Sequence, residues 1–189
     1  MTEPRRLLEF ARGLIAEEFG AAPAVAPTGS WFEQRAATFV TLRRGPRLHG
    51  CIGTLRPRRS IVDDVRHNTM AALLTDPRAV PLQAADVELL RIEISHLSAL
   101  ERVEVASEEE LRRVLRPRVD GVVLTWRDRC GTFLPQVWES LPDPARFLAE
   151  LKTKAGLGSA FWSADIVVER YSVLKYSEYE SPREVTANA

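Results

Sequence analysis

The segment from residue 89 to residue 97 alternates between apolar and polar side chains, and this alternation constrains the fold more than any other feature. One set of alternate positions comprises Leu90, Ile92, Ile94 and His96, and the other comprises Arg91, Glu93 and Ser95. Because successive side chains of a β-strand point to opposite faces of a sheet, the pattern predicts a strand with one apolar face. Such a face must be covered by a second layer of the fold.

Two pairs of apolar stretches predict β-hairpins. Residues 37–43 and 47–55 are separated by Arg-Gly-Pro, and residues 121–126 and 132–136 are separated by a segment that ends in Cys-Gly. Short connections that contain glycine are typical of hairpins. Residues 166–176 predict a last strand. Since hairpins dominate the pairing signals, we expect a largely antiparallel sheet.

Four segments predict helices: residues 3–19, 60–74, 107–116 and 143–154. The first is amphipathic, and the others begin at a Ser or Asp that can accept hydrogen bonds from the free N–H groups of a helix start. The sequence therefore predicts an α+β fold in which helices flank a largely antiparallel sheet. A length of 189 residues is typical of one domain. We assign residues 1–180 to this domain, which has room for two lobes, and residues 181–189 to a C-terminal tail.

The charge balance and the cysteine content exclude several classes of protein. Lysine and arginine together number 26, as do aspartate and glutamate, and this balance disfavours nucleic acid as a partner because binding to phosphates usually requires a basic excess. We expect neither a membrane span nor a secretion signal. Two cysteines, Cys51 and Cys130, are too few for a secreted disulfide framework. A cytoplasmic location is the simplest expectation.

The segment Leu48-His-Gly-Cys-Ile-Gly-Thr54 is the most unusual part of the sequence. Glycines weaken a strand, and two of them are expected where another backbone or a ligand comes close or where the chain bends sharply. In a regular strand His49, Cys51 and Gly53 share one face, so that Cys51 lies in a space opened by Gly53. The thiol could act as a nucleophile, contact a ligand or simply pack as a small buried group.

Other candidate groups are less specific. A carboxylate on a central strand needs a partner, which makes Glu93 the best carboxylate candidate. The three histidines, His49, His67 and His96, do not form a metal-binding pattern. The sequence accordingly predicts no metal site and no cofactor.

Six segments in order resemble the AMMECR domain family, and in particular the bacterial group called AmmeMemoRadiSam system protein A. They are residues 49–54, 76–78, 92–95, 132–139 and 154–157, together with Trp162. The resemblance covers roughly residues 5–177. The family signature usually reads Leu-Arg-Gly-Cys-Ile-Gly, and here His49 replaces the arginine.

The resemblance implies an α+β fold with a second, smaller lobe and a cleft beside the cysteine motif. It also implies a functional link to a Memo-like protein and a radical-SAM protein, although it carries no established activity. The leading hypothesis is therefore a component that binds a small ligand or a partner. One alternative is a thiol-dependent enzyme with Cys51 as nucleophile and His49 or Glu93 as base, and another is a pure protein-interaction module. The resemblance places these positions near the cleft: Gly50, Cys51, Ile52, Gly53, Glu93, Ser95, Gln136 and Lys154.

Overall fold

A computed structural model describes residues 2–178 and shows helices packed on antiparallel sheets. The α-helices are α1 (Glu3–Glu18), α2 (Ser30–Glu33), α3 (Ile61–Leu74), α4 (Glu108–Val114) and α5 (Pro144–Lys154). The strands are β1 (Arg35–Arg44), β2 (Arg47–Gly53), β3 (Arg59–Ser60), β4 (Leu90–Leu97), β5 (Glu101–Arg102), β6 (Gly121–Trp126), β7 (Arg129–Phe133), β8 (Val167–Tyr171) and β9 (Val173–Ser177). Two 3₁₀ helices span Ala84–Leu89 and Pro135–Glu139. The predicted α+β class is confirmed.

The chain divides into two compact units. Among the described residues, the first contains residues 2–97 and 174–178, and the second contains Ser98–Val173. The strands of the first unit run in the order β2-β1-β4-β9, with β3 paired to β1, and those of the second run β5-β8-β6-β7. Each unit therefore has its own sheet.

In the first unit, helices α1 and α3 cover one face of the sheet. The alternation predicted for β4 is observed, because Leu90, Ile92 and Ile94 are buried against this layer. At the start of α3, Ser60 Oγ accepts a hydrogen bond from the Asp63 N–H, as the capping pattern predicts. The β1–β2 turn contains Gly45, which has a φ of 57°, a conformation that glycine adopts without strain. The first predicted hairpin is confirmed.

In the second unit, a stacked aromatic pair lies at the centre of the core. The rings of Trp138 and Phe147 are 3.7 Å apart and nearly parallel, and both residues are fully buried. The Trp138 Nε1–H donates to the Asp120 carbonyl at 2.7 Å, so the buried indole is satisfied. Helix α5 begins after Asp143, whose carboxylate accepts from the first free N–H groups, as predicted.

Two predictions about element boundaries are wrong. The strand expected at residues 166–176 is interrupted at Ser172, so that β8 belongs to the second sheet and β9 to the first. The second hairpin turns at Arg127 and Asp128, and β7 already begins at Arg129. Residues 30–33 form a single helical turn that the sequence pattern did not predict. The tail predicted at residues 181–189 lies outside the described residues. Within residues 2–178, no helix is long and apolar enough to cross a membrane.

Candidate functional site

Four polar side chains form a row across the first sheet. Thr41 of β1 lies opposite Cys51 of β2 on one side and opposite Glu93 of β4 on the other. The Thr41 hydroxyl donates to Cys51 Sγ at 3.3 Å. Lys175 of β9 completes the row, because its Nζ is 2.6 Å from Glu93 Oε2. We call these four residues the Cys51 row.

The Cys51 row lies on the sheet face opposite α1 and α3, which we call the Cys51 face. On β1 and β4, the side chains that alternate with those of the row are buried in the core beneath the helices. Phe39 and Ser95, which are paired across β1 and β4, continue the Cys51 face along the strands. Ser95 and Thr41 are buried, Cys51 is half-buried, and Lys175 is half-exposed. The row therefore runs from the half-buried sulfur of Cys51 to the solvent-exposed end of Lys175.

Both glycines of the motif are explained by packing within the chain. A Cβ on Gly50 would lie 2.0 Å from the Ala72 carbonyl oxygen of α3, and a Cβ on Gly53 would lie 2.1 Å from the Phe39 ring. The expected close approach is thus real, and the approaching groups are the α3 backbone and an aromatic side chain. The space expected beside Cys51 at Gly53 is filled by Phe39, which corrects that expectation.

His49 does not share a face with Cys51, contrary to the prediction from regular alternation. A β-bulge shifts the register, so that Leu42 pairs with Gly50 while Arg43 pairs with Leu48. The extra residue is His49, which is 3% exposed and has its Nε2 3.1 Å from the Leu73 carbonyl of α3. A bulge disrupts the two-residue period locally. It turns the imidazole toward the helix layer, away from the sulfur.

A carboxylate and an arginine hold the backbone of Cys51 on its outer side. Asp76 Oδ2 accepts from the Cys51 N–H at 2.8 Å, and the Arg78 guanidinium donates to both oxygens of Asp76 at 2.9 and 2.7 Å. Arg78 Nη2 is also 3.5 Å from the Cys51 carbonyl oxygen. Because β2 is the edge strand, these contacts satisfy backbone groups that an edge leaves unpaired.

The same contacts shift the ionisation of both partners. The hydrogen bonds from the Arg78 side chain hold the pKa of Asp76 well below its usual range, with help from the Cys51 and Arg78 backbone N–H groups and against the opposing effect of burial. The Asp76 carboxylate in turn raises the pKa of Arg78. Sequence reasoning assigned no role to this pair, and its only signal was the Asp-Pro-Arg segment within the resemblance.

A buried polar cluster anchors the end of the cysteine motif. Asp64 of α3 is fully buried and accepts from the Thr38 N–H and from the hydroxyls of Thr38 and Thr54. Asn68 donates to Asp64 and to the Thr38 carbonyl at 3.0 and 2.9 Å. Since each buried acceptor has donors, the cluster stabilises the α3 contact with β1 and with the segment after β2.

The remaining predicted residues are distributed as follows. Ile52 packs against the core of the first unit, whereas Gln136 and Lys154 belong to the second unit. Gln136 is exposed in the second 3₁₀ helix. Lys154, in the last turn of α5, donates to the Thr132 carbonyl at 2.9 Å and lies over the Phe133 ring. The structure thus brings Cys51, Gly53, Glu93 and Ser95 onto one face. Across residues 2–178, no three His, Cys, Asp or Glu side chains are grouped as a metal site would require.

Comparisons with known proteins extend over both units. The sequence model of the AMMECR1 family matches residues 8–176. A protein of Methanothermobacter thermautotrophicus is 30% identical over 185 residues, which cover 93% of this chain and 94% of the relative. Protein MJ0810 of Methanocaldococcus jannaschii is 28% identical over 162 residues, 82% of this chain and 79% of the relative. The crystal structure of uncharacterized protein PH0010 from Pyrococcus horikoshii matches with a TM-score of 0.81 and 29% identity, covering 94% of this chain and 91% of that one.

Proposed function

The chain belongs to the AMMECR1 family, and on this premise we propose that it binds a small ligand or a partner segment on the Cys51 face, as a component that serves a Memo-like protein and a radical-SAM protein. The assignment to the AmmeMemoRadiSam group is part of the proposal. It rests on the segments quoted above, from His49-Gly-Cys-Ile-Gly-Thr to Trp162.

The observation that carries the proposal is the Cys51 row. A sulfur, a hydroxyl, a carboxylate and an ammonium group lie side by side on four neighbouring strands. Hydrogen-bonding groups that carry positive and negative charge at one place can orient a polar ligand, whereas a face used only for packing would be apolar. Because both motif glycines are used by internal packing and Thr41 is buried, Cys51, Glu93 and Lys175 are the groups of the row that are accessible for recognition.

The partner part of the proposal is tested by binding measurements with the Memo-like protein and the radical-SAM protein encoded in the same genome. We expect binding at micromolar concentrations and at least a tenfold loss with Cys51→Tyr, because the added ring covers the row. Cys130→Tyr is the matched control, since Cys130 is exposed on the β6–β7 hairpin of the second unit. Circular dichroism verifies that both variants fold. If neither protein binds at these concentrations, the partner part of the proposal is wrong.

A second candidate function, thiol-dependent catalysis, is favoured by the hydrogen bond from Thr41 to Cys51 Sγ. A donor directed at sulfur stabilises negative charge on it. In this variant of the proposal, Cys51 is the nucleophile. Glu93 lies on the far side of Thr41, about 10 Å from Cys51 along two strand spacings, so it acts only through an intervening group. This variant of the proposal does not use His49 as the base, because the imidazole is directed at the Leu73 carbonyl of α3.

Alkylation of Cys51 against pH, with Cys130 as the internal reference, separates the two candidates. A nucleophile should react faster than Cys130 at neutral pH and lose that advantage in Thr41→Val, which removes the hydroxyl and keeps the shape. If Cys51 reacts no faster than Cys130 and Thr41→Val changes nothing, thiol catalysis is wrong and binding alone is retained.

A further inference from the structure

A pocket of about 340 Å³ lies in the helix layer of the first unit. We call it the α1–α3 pocket, because it is lined by the ends of both helices and by the segment after α3: residues 18–19, 73–74 and 79–82. Ligand pockets in proteins have volumes from about 300 Å³ upward. Since α1 and α3 cover the sheet face opposite the Cys51 face, this pocket is separate from the site of the proposed function.

The α1–α3 pocket exposes bulky apolar side chains to solvent. Leu74 is 54% exposed and Val80 is 59% exposed, and Phe19, Pro81 and Leu82 line the pocket beside them. A single exposed leucine needs no explanation, but several apolar side chains around one concave surface are typical of a binding site. An apolar side chain of a ligand would remove this surface from water.

The charge around the pocket is negative. The C-terminal end of a helix carries about half of an elementary negative charge, which basic side chains in the last turn can offset. Both α1 and α3 end at the pocket without a basic residue in the last turn, whereas α4 and α5 have two each. Glu18 is exposed and forms no ion pair within residues 2–178. Arg78, which precedes the last pocket segment, is held by Asp76.

The segment after α3 also offers main-chain groups to a ligand. Residues 79–83 form neither helix nor strand. In the part of the chain that the structure describes, the N–H groups of Val80 and Leu82 have no hydrogen-bond partner. Such a segment can bind the main chain of a peptide while the pocket beside it receives a side chain. This arrangement favours a peptide over a small apolar molecule.

We propose that the α1–α3 pocket binds a segment of a partner protein in which lysine or arginine flanks a bulky apolar side chain. The apolar side chain fills the pocket against Leu74 and Val80, and the cations lie beside Glu18 and the two helix ends. Burial of apolar surface supplies the affinity, and the negative charge selects the partner. This inference goes beyond the proposed function, because it involves neither Cys51 nor its neighbours in the row.

NMR titration of the isotopically labelled protein tests the proposal with two acetylated and amidated peptides, Lys-Leu-Trp-Lys and Glu-Leu-Trp-Glu. At millimolar concentrations, the lysine peptide should shift the backbone amide signals of the residues that line the pocket. The glutamate peptide should bind about fivefold more weakly, because its carboxylates face Glu18 and the helix ends. Equal binding of both peptides, shifts confined to other parts of the chain, or no binding of the lysine peptide would each overturn the proposal.

Two pairs of variants test the apolar and the charged parts separately. Leu74→Ser should weaken binding of the lysine peptide about fivefold, whereas Leu174→Ser should not, because Leu174 is also 54% exposed but lies on β9 and does not line the pocket. Glu18→Gln should lower the preference for the lysine peptide about twofold. Glu3→Gln removes the same charge from the other end of α1 and should leave the preference unchanged. If Leu74→Ser and Glu18→Gln behave like their controls, the peptide binds elsewhere and the proposal is wrong.

Discussion

Replacement of Gly50 by alanine tests the conclusion that this glycine serves internal packing. A Cβ at this position would lie 2.0 Å from the Ala72 carbonyl oxygen and 3.2 Å from Asp76 Cβ. Cβ atoms essentially never come within 3.0 Å of a heavy atom outside their own residue and its two chain neighbours. Strand β2 or the end of α3 must therefore move by about 1 Å or more. The oxygen belongs to the helix backbone and cannot rotate away as a side chain would.

The expected loss of stability follows from two opposing effects. Forcing an extra group into a packed interior costs about 1–3 kcal/mol, and a rigid backbone contact places Gly50→Ala near the upper end of that range. Removing a glycine also restricts the unfolded chain, which stabilises the protein by about 0.4–1 kcal/mol. We therefore expect the free energy of unfolding to fall by about 2 kcal/mol.

Equilibrium urea unfolding, followed by circular dichroism, measures this change. With a denaturant slope of about 2 kcal/mol/M, the midpoint should fall by about 1 M. Gly158→Ala is the matched control, because Gly158 is exposed and its added Cβ would have only one neighbour within 4 Å, Phe161 Cβ at 4.0 Å. Because only the effect on the unfolded chain remains there, its midpoint should rise by about 0.2–0.5 M. A Gly50→Ala midpoint at or above that of the wild type would refute the packing argument.

Three further predictions concern the titration of Asp76 and Tyr171 and the orientation of His49. The pKa of Asp76 is lower in the folded than in the unfolded chain, so its stabilising effect is present above about pH 4 and is lost as the pH falls. The free energy of unfolding should therefore decrease less steeply on acidification in Asp76→Asn than in the wild type, and equal slopes would contradict this. His49→Gln should lower the midpoint of urea unfolding but leave the pH dependence of Cys51 alkylation unchanged, since the imidazole faces α3; an altered alkylation profile would refute this placement. Burial raises the pKa of Tyr171 to about 12 and also raises the pKa of Tyr176, so part of the phenol signal should appear late in alkaline ultraviolet titration, and the share of one phenol should be absent from that late part in Tyr171→Phe. The same shift means that stability decreases as the pH rises above about 10, where the unfolded phenol ionises.

Local sequence patterns predicted the secondary structure well where a pattern depends on interactions within a single strand or helix. The period-two alternation from Leu90 to Leu97 and the serine before α3 describe interactions within one strand or one helix turn. The split of the last strand at Ser172 could not be predicted in this way. The backbone stays extended on both sides of Ser172, and only the hydrogen-bonding partners change from one sheet to the other.

The candidate site was predicted less completely than the fold. The importance of Cys51 and Glu93 followed from their residue types and their strand positions, and the structure places both in one row. The partners of these residues are distant in sequence. Asp76 contacts the Cys51 backbone across 25 positions, and Lys175 reaches Glu93 from the last strand. Sequence spacing contains no signal for such contacts.

The sequence by itself determined the α+β class, the helix starts and the two faces of β4, because these depend on interactions between near neighbours. Only the tertiary structure decided that His49 faces α3, because the bulge depends on the pairing of β2 with β1. It also decided that Arg43 lies opposite Arg91, since register between distant strands is determined by the packing of the whole sheet. The placement of Cys51, Thr41 and Glu93 in one row comes from this register, and no part of the linear pattern contained it.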